Sequence, residues 1–425
     1  MTEVHDVQSG REKILVIGGG ISGLTASIEA AEAGFEGVLV EKNPYLGGRV
    51  ARMNLYFPKL CPPTCGMEIN FKRLKANSNI TLYTLAEVLE ITGEPGNFNV
   101  KIRQNPRFVN ENCTACNACV EVCPNERPND FNYGMDKTKA IYLPFGMAFP
   151  RHYVVDSGHC PGSECAKCVE VCKYNAIDLK MEPKMIEIKA GAVIMATGWE
   201  PYDALKIDNL GFGQYKNVIT NVMMERLASP HGPTQGKILR PSDNKEVQSI
   251  AFVQCAGSRD ENYLPYCSGV CCMASLKQAR YVREFKPDSK VHIYYIDIRA
   301  AGKYEDFYAA VQKDENVIIQ KGKVAKVTED PATNNLIVEA ENTATGEKMA
   351  TAVEMVVLAT GMVPASGNGQ FPVNLSIDDN GFMVPEWRKT GIDAVGCVKN
   401  PVDVASSVRD ATGAALHAIQ HVIRR

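Results

Sequence analysis

The sequence predicts an α/β fold of two dinucleotide-binding domains of the Rossmann type, with a small cysteine-rich module inserted in the first domain. Three observations lead to this prediction. Two strand–turn–helix units begin near residues 13 and 249, and eight cysteines are concentrated between residues 113 and 172. Apolar strands that alternate with helical patterns are typical of βαβ units and of a parallel sheet.

The composition limits the classes of function that the chain can have. Its 425 residues suffice for two or three domains, and a net charge of −3, with both signs spread along the chain, gives no indication of nucleic acid or of an anionic membrane surface. Met1–Asp6 lacks the apolar core of a signal peptide, and no apolar run approaches the ~20 residues of a membrane span. Fifteen cysteines without an export signal favour metal ligation in a reducing compartment. We therefore expect a cytoplasmic redox protein, peripheral to any membrane through partner subunits.

The first strand–turn–helix unit has the features of a dinucleotide site. A strand from Lys13 leads into the turn Gly18–Gly23, whose glycines let a pyrophosphate approach the backbone and the positive end of a helix that begins near Gly20. Glu41 ends the next strand, eighteen residues after Gly23, where an acid is expected to bind the adenosine ribose. The candidate contacts are Gly18, Gly20, Ile21, Ser22, Gly23, Glu41 and Lys42.

Three further stretches indicate that the dinucleotide is FAD. Leu46–Arg49 contains a Gly-Gly-Arg turn, and Ala192–Gly198 and Val356–Gly361 are apolar strands that end in Ala-Thr-Gly. This pattern resembles flavoproteins of the flavin disulfide reductase kind, in which the turn contacts FAD and the strands mark passages between the two domains. The resemblance implies contacts from Gly47, Gly48, Arg49, Thr197, Gly198, Gly361, Gly396 and Cys397. Cys397 stands where that class has an aspartate for the ribityl chain, which puts one hydrogen bond in doubt.

The cysteine-rich module is predicted to be ferredoxin-like and to hold two [4Fe-4S] clusters. Its first run reads C-x2-C-x2-C-x3-C-P, the arrangement in which the fourth cysteine serves the other cluster. The second run has a longer first gap and has Lys173 in place of the usual proline, which affects the shape of the loop more than the supply of thiolates. Zinc knuckles or disulfides are the alternatives. The two ligand sets are Cys113, Cys116, Cys119 and Cys172, and Cys160, Cys165, Cys168 and Cys123.

The second strand–turn–helix unit keeps its frame but lacks a phosphate-binding loop. A strand from Ser249, a helix from about Gly269 to Phe285 and a strand at Val291–Asp297 are predicted, without the glycine fingerprint for NAD(P)H. Buried structural cysteines are one interpretation of the four cysteines found there, because free cysteine is often buried. Four around one turn favour a third [4Fe-4S] cluster in place of NAD(P), as the partner with which the flavin exchanges electrons. Its ligands would be Cys255, Cys267, Cys271 and Cys272.

No acid–base or nucleophilic group stands out, so the chemistry is expected to belong to the cofactors. Cys61 and Cys65 could form a redox disulfide, ligate a metal or belong to a loop packed beneath the flavin, and the structural interpretation is favoured. His152, His159 and His231 lie in or near loops and receive no role.

Together these motifs resemble the A subunits of heterodisulfide reductases. The resemblance covers nearly the whole chain and includes Phe131–Phe145, but the Cys255–Cys272 array adds most, because that family uses such an array for an irregular cluster. Methanogen A subunits normally carry further domains before and after this region. The short ends of the chain resemble the A subunits of quinone-interacting membrane-bound oxidoreductases instead.

That short form implies electron transfer between a membrane quinone pool and adenylylsulfate reductase in dissimilatory sulfur metabolism. It also implies two partners, a homologous flavin and iron–sulfur subunit and a haem-bearing membrane subunit. Two alternatives remain open: the A component of a soluble heterodisulfide reductase, with or without electron bifurcation at its flavin, and a scaffold whose clusters are inert. The expected FAD-binding domain is discontinuous, at 11–105, 180–235 and 355–425, with the ferredoxin-like module at 106–179 and the remodelled NAD-type domain at 245–352.

Overall fold

The structure, a computed structural model, describes residues 13–366, 372–373 and 375–423. The segment Met1–Asp6 and the outermost residues assigned to the FAD-binding domain, 11–12 and 424–425, lie outside the described residues. Two sheets built around parallel strands form the frame of the described part. None of its helices has both the length and the apolar character that crossing a membrane requires.

The first sheet is built around a parallel βαβ unit. In β1 (Lys13–Ile17) the three central residues are fully buried, as a strand covered on both faces requires. The glycine turn leads from β1 into α1. The rest of this segment comprises α1 (Ile21–Glu32), β2 (Gly37–Glu41), α2 (Pro63–Ala76), β3 (Ile80–Thr84), β4 (Ala86–Glu94) and β5 (Asn97–Gln104).

The cysteine module follows β5 and contains only short elements. Each cysteine run includes a one-turn helix, α3 (Ala118–Glu121) or α4 (Lys167–Glu170), and the residue before each helix has a left-handed backbone, with φ +74° at Asn117 and +43° at Ala166. The two runs therefore adopt the same local fold. Two small sheets lie between them, β6 (Glu126–Pro128) with β7 (Lys137–Lys139) and β8 (Ile141–Tyr142) with β9 (Val154–Val155).

The chain returns from the module into the centre of the first sheet. β10 (Lys184–Met195) pairs antiparallel with β5 and parallel with β1, and Lys184 lies opposite Gln104. The order of the sheet is β3-β2-β1-β10-β5-β4. Because the two ends of the module are adjacent strand partners, the insertion leaves the sheet continuous.

The second sheet is parallel and has five strands. The chain reaches it through β11 (Trp199–Pro201), β12 (Val218–Thr220) and α5 (Asn221–Leu227). A βαβαβ run then supplies β13 (Ser249–Ala256), α6 (Cys271–Phe285), β14 (Lys290–Tyr295), α7 (Tyr304–Gln312) and β15 (Val317–Lys321). A separate antiparallel sheet comprises β16 (Lys323–Glu329), β17 (Leu336–Glu341) and β18 (Lys348–Val353). β19 (Met355–Thr360) completes the order β12-β19-β13-β14-β15.

The last elements return to the first sheet. They are β20 (Met362–Pro364), α8 (Trp387–Thr390), β21 (Ile392–Ala394) and α9 (Val404–Ile423). β21 pairs with β10, and α9 packs against α1. β11 pairs with β20, so the two passages between the sheets, each just after an Ala-Thr-Gly, lie side by side.

The sheets divide the chain differently from the predicted domain ranges at two places. Residues 218–220 and 355–360 were assigned to the FAD-binding ranges 180–235 and 355–425, but they form β12 and β19 of the second sheet. β19 is buried along its whole length, and such a strand suits the centre of either sheet, so its pattern did not identify the sheet. The other boundaries remain predictions.

Candidate flavin cavity and cysteine clusters

A cavity of about 580 Å³ lies at the carboxyl ends of β1, β2 and β10, and the amino-terminal halves of α5 and α6 complete its wall. Ligands of open α/β sheets bind outside these strand ends. The structure brings eleven of the residues predicted to contact FAD to this cavity: Gly18, Gly20, Ile21, Ser22, Glu41, Lys42, Gly48, Arg49, Thr197, Gly198 and Cys397.

The glycine turn is shaped by close packing on one side and open space on the other. Gly18 has φ +109°, and a Cβ there would lie 2.3 Å from the carbonyl oxygen of Ala196. A Cβ on Gly23 would lie 1.8 Å from the carbonyl oxygen of Gly18, so Gly23 lets α1 approach β1 instead of lining the cavity. A Cβ on Gly20 would meet no protein atom within 4 Å. The start of α1 therefore borders open space, the setting in which helix N-termini bind phosphate.

Glu41 is buried, and its carboxylate already accepts three hydrogen bonds from Gly19 and Asn43. Oε2 accepts the Gly19 N–H at 2.6 Å, and Oε1 accepts the backbone and side-chain N–H groups of Asn43 at 2.7 and 2.6 Å. Burial raises the pKa of this carboxyl, and these hydrogen bonds oppose the shift. A carboxylate has about four acceptor positions, so about one remains for a ribose hydroxyl.

Arg49 joins the cavity wall to the cysteine module. Its guanidinium forms an ion pair with Glu200 and donates to the Trp199 carbonyl oxygen and to the Tyr133 hydroxyl, both at 3.2 Å. Tyr133 belongs to the module, so the module contributes directly to the surroundings of the cavity. The guanidinium also lies over the rings of Tyr133 and Trp199.

Three predicted contacts besides Gly23 do not line the cavity. A Cβ on Gly361 would meet Ser258 Oγ at 2.3 Å, so Gly361 packs against the loop that carries Cys267. Gly396 packs against Ser22, and its N–H donates to Asp410 Oδ2 at 2.8 Å. Gly47 has φ +107° and donates its N–H to the Gly19 carbonyl oxygen. These glycines support the walls and do not form their surface.

Cys397 lines the cavity as a buried thiol. Its Sγ lies 3.4 Å from the Val402 carbonyl oxygen, and burial raises its pKa. The thiol is therefore neutral and cannot replace the charge of the expected aspartate. Asp403, which also lines the cavity, supplies a carboxylate nearby and accepts a hydrogen bond from Tyr304 at 2.5 Å. Sequence reasoning did not identify Asp403 because it lies six positions beyond the family's aspartate.

A buried ion pair in the cavity wall was also not predicted. Lys277 on α6 is 1% exposed, and its Nζ lies 2.9 Å from Glu225 Oε1 and 2.6 Å from the Leu55 carbonyl oxygen. Gln278 donates to the same carboxylate at 2.6 Å, and Tyr281 donates to it at 3.2 Å. A buried charge persists only when it is paired and hydrogen-bonded. The sequence feature that could have revealed this ion pair is Lys277-Gln278, five residues after Cys272, on a helix whose other residues are mostly apolar or small.

The eight cysteines of the module border two separate small cavities of about 20 Å³ each. The first is lined by Cys113, Cys116 and Cys119 of the first run and by Cys172 of the second, and the second by Cys160, Cys165, Cys168 and Cys123. These are the two sets that reciprocal ligation requires. The extra residues of the second loop are accommodated by a 3-10 turn at Gly162–Glu164.

The donor set fits an iron–sulfur cluster. Burial raises the pKa of Cys119 to about 12, so this thiol needs a cationic group beside it to become a thiolate ligand. Within residues 13–366, 372–373 and 375–423, no three His, Cys, Asp or Glu side chains are grouped closely enough for a single metal ion. A tetrahedral zinc ion would hold its sulfurs about 3.8 Å apart, given Zn–S bonds of about 2.3 Å. The wider spacing of the thiols in each set suits the larger iron–sulfur cluster better than a single zinc ion.

The four cysteines of the second domain converge on the start of α6. Cys255 is the penultimate residue of β13 and has φ +54°, Cys267 lies in the following loop, and Cys271 and Cys272 begin the helix. Burial raises the pKa of Cys271, and electrostatic interactions with the other three cysteines add to the shift. Burial raises the pKa of Cys255 to about 11. The four thiols therefore lie close enough together to interact electrostatically.

Helix α6 connects this array to the cavity. Cys271 and Cys272 form its first turn, while Ala274, Lys277 and Gln278 line the cavity. Val270, directly before Cys271, also lines the cavity, so the array and the cavity wall are separated by no more than about one helical turn, or about 5 Å along the axis.

Cys61 and Cys65 lie at the start of α2, and both are exposed. Neither lines the cavity, although Phe57, a few residues earlier, does. The favoured interpretation, a structural loop, remains a prediction.

Comparisons with known proteins concern both the cavity and the cysteine module. Residues 16–73 match the NAD(P)-binding Rossmann-like domain and residues 106–126 match the 4Fe-4S binding domain. The chain is 43% identical over 420 residues to an iron–sulfur A subunit of the CoB–CoM heterodisulfide reductase of Methanopyrus kandleri, covering 96% of this chain and 64% of the relative. It is 40% identical to the A subunit of the H2:CoB–CoM heterodisulfide,ferredoxin reductase of Methanothermobacter marburgensis, covering 96% and 63%. The chain thus spans just under two thirds of these relatives.

Solved structures resemble the fold at low sequence identity. Thioredoxin reductase of T. acidophilum aligns with a TM-score of 0.53 at 14% identity, covering 97% of this chain and 99% of that chain. The Lactococcus lactis thioredoxin reductase aligns with a TM-score of 0.54 at 14% identity, covering 98% and 100%. The expected α/β fold of the flavin disulfide reductase kind, with an inserted iron–sulfur module, is therefore confirmed.

The quinone-linked function expected from the short form of the chain is wrong. Relatives at about 40% identity over nearly the whole chain are A subunits of heterodisulfide reductases. The expected partners fail with it: adenylylsulfate reductase, the homologous flavin and iron–sulfur subunit, and the haem-bearing membrane subunit. That expectation depended on where the chain begins and ends, and the residues of the cavity and clusters do not encode a choice of partner.

Proposed function

We propose that the chain is an A-type subunit of a heterodisulfide reductase, as its relatives at about 40% identity are named. In this role it would pass electrons between a bound FAD and three [4Fe-4S] clusters. The observation that carries the proposal is helix α6, which begins with two cysteines of the array and forms part of the cavity wall within its first two turns.

FAD fits the cavity because of the residues that border it. The open space at Gly20 and the start of α1 suits a pyrophosphate, and Glu41 has about one acceptor position left for the ribose. The amino-terminal halves of α5 and α6 line the cavity where Lys277 and Glu225 form a buried ion pair. Asp403 provides the carboxylate that Cys397 cannot provide.

Three clusters fit the twelve cysteines. Two sets of four line separate cavities in the module. The third set occupies the turn at which a nicotinamide dinucleotide would need a glycine-rich loop, and this supports electron exchange with a cluster instead of with NAD(P).

FAD exchanges electrons in pairs or singly, so it suits a junction between two-electron and one-electron carriers. The Methanothermobacter marburgensis relative is named for two acceptors, a heterodisulfide and ferredoxin. This supports a branch at the flavin, with the module on one side and the Cys255 array on the other. The partners would then be other subunits of a heterodisulfide reductase and ferredoxin. The cysteine-rich composition favours a cytoplasmic location.

Anaerobic purification of the chain with its native partners tests the proposal. We expect one FAD and about twelve irons per chain, partner subunits of a heterodisulfide reductase, and cluster reduction by reduced ferredoxin. About eight irons would remove the third cluster. Full electron transfer by protein that has intact clusters but no FAD would refute the flavin junction.

A further inference from the structure

Three buried polar side chains near the cysteine array lack a hydrogen-bond partner: Gln254 on β13, Ser275 on α6 and Ser258 in the loop between them. Gln254, the residue before Cys255, is 6% exposed, and neither its Nε2 nor its Oε1 has a partner. Ser275 on α6 is fully buried, and its Oγ also has none. More than nine in ten buried polar groups in native proteins are paired. An unsatisfied group costs about 1–3 kcal/mol, so these side chains are expected to have a partner in the functional protein.

The fold places Gln254 and Ser275 between β13 and the first turns of α6. Gln254 shares a strand face with Phe252, which lies in one core cluster with Met273 and Leu276 of α6. Ser275 follows Cys271 and Cys272 by four and three positions, so it lies below them on the same side of the helix. Both groups therefore lie in the layer directly beneath the array.

We propose that Gln254 donates a hydrogen bond from its amide to the cluster held by Cys255, Cys267, Cys271 and Cys272, and that Ser275 is a second donor. The inference rests on the proposed third cluster. Sulfur atoms of such clusters accept hydrogen bonds, and these bonds stabilise the more negative, reduced cluster and make it easier to reduce. Gln254 thus acts as a positioning residue that raises the reduction potential of this cluster relative to that of the flavin.

The test compares Gln254→Met and Ser275→Ala with wild-type protein, all purified anaerobically as the full chain with its partners. At a fixed solution potential, the ratio of reduced to oxidised third cluster, measured by electron paramagnetic resonance, should fall about two- to tenfold in Gln254→Met. This corresponds to the loss of one hydrogen bond of about 0.5–1.5 kcal/mol. The clusters of the module should keep their ratios. Ser275→Ala should produce a smaller change in the same direction.

Ser27→Ala is the matched control, because Ser27 is also a buried hydroxyl without a partner but lies on α1, in the first domain. It should leave the ratio unchanged. Gln254→Leu is the second variant if Gln254→Met does not fold.

Iron content separates the possible failures. Wild-type protein with about eight irons would remove the third cluster and this inference with it. About twelve irons with an unchanged ratio in the Gln254 variants would overturn the inference alone, and would mean that the amide is satisfied by a buried water. Loss of four irons from both Gln254 variants would make the residue necessary for assembly, which also overturns the role proposed here.

Discussion

Gly20 and Gly23 belong to the same turn, yet the structure gives them opposite tolerance for a methyl group. Gly20 has φ −73°, which alanine adopts readily, and a Cβ there would meet no protein atom within 4 Å. Gly20→Ala should therefore change the free energy of unfolding of the flavin-free protein by less than about 1 kcal/mol. Alanine restricts the unfolded chain, which stabilises the protein, but Gly20 is the N-cap of α1, where glycine is preferred to alanine. The same methyl group would occupy space that a pyrophosphate needs. An overpacking cost of about 1–3 kcal/mol would raise the Kd for FAD by about 5- to 150-fold.

Gly23→Ala should fail for a different reason. Its Cβ would lie 1.8 Å from the Gly18 carbonyl oxygen, so α1 would have to move by about 1.2 Å to restore even the shortest contact seen for such atoms. We expect the flavin-free protein to lose about 3 kcal/mol of stability and to bind FAD poorly as a consequence.

The assay is titration of deflavinated protein with FAD, followed by flavin fluorescence, together with urea unfolding followed by circular dichroism. Gly66→Ala is the control, because Gly66 lies in α2 with open space around its Cβ and does not line the cavity. It should stabilise the protein without changing the Kd. Wild-type affinity in Gly20→Ala would refute the placement of the pyrophosphate, and a Gly20→Ala variant as unstable as Gly23→Ala would refute the geometry of the turn.

Three further predictions follow from the clusters and the buried charges. Cys172→Ser should affect the reduced-state electron paramagnetic resonance signal of the same cluster as Cys113→Ser, because both residues line one cavity, and effects on different clusters would contradict reciprocal ligation. Glu225→Gln should lower the free energy of unfolding, measured by urea denaturation, by about 3–5 kcal/mol, since it leaves Lys277 charged and buried. Adding Lys277→Met should recover most of this loss. If stability is not recovered, the loss comes from the neutral hydrogen bonds of Glu225 and not from the unpaired charge. Burial raises the pKa of Glu41, so the folded protein retains a proton that the unfolded chain has lost, and stability falls as pH rises from the ordinary value of this carboxyl through the raised one. Glu41→Gln should flatten that part of the pH profile of the flavin-free protein, and an unchanged profile would contradict the shift.

Much of the frame could be predicted because it depends on local patterns. The strand at Lys13, the turn at Gly18 and the helix after it follow from apolar runs and glycine positions, and the structure has them at Lys13–Ile17 and Ile21–Glu32. The helix expected from about Gly269 begins at Cys271. The two cysteine sets of the module line separate cavities because reciprocal ligation is encoded in the spacing itself.

The remaining features depend on contacts between distant parts of the chain, which no local pattern contains. Gly361 is the glycine of the second Ala-Thr-Gly, but the loop containing Ser258 and Cys267 covers it, so it does not reach the cavity. The pairing of Lys277 with Glu225 joins two helices about fifty residues apart. The prediction of adenylylsulfate reductase as the electron partner was wrong for the same reason. Partner proteins are recognised by surfaces that the motifs do not describe.

The pairing of Lys184 with Gln104 has a consequence for the order in which the protein is made. β10 is the central strand of the first sheet, between β1 and β5, and it leaves the ribosome only after the whole cysteine module has been synthesised. Chains fold as they emerge, N-terminal units first, but this sheet stays open at its centre until residue 195 appears. All eight thiols of the module are then already outside the ribosome. The thiols of the module are thus made before the first sheet, which is to hold the flavin, can be completed.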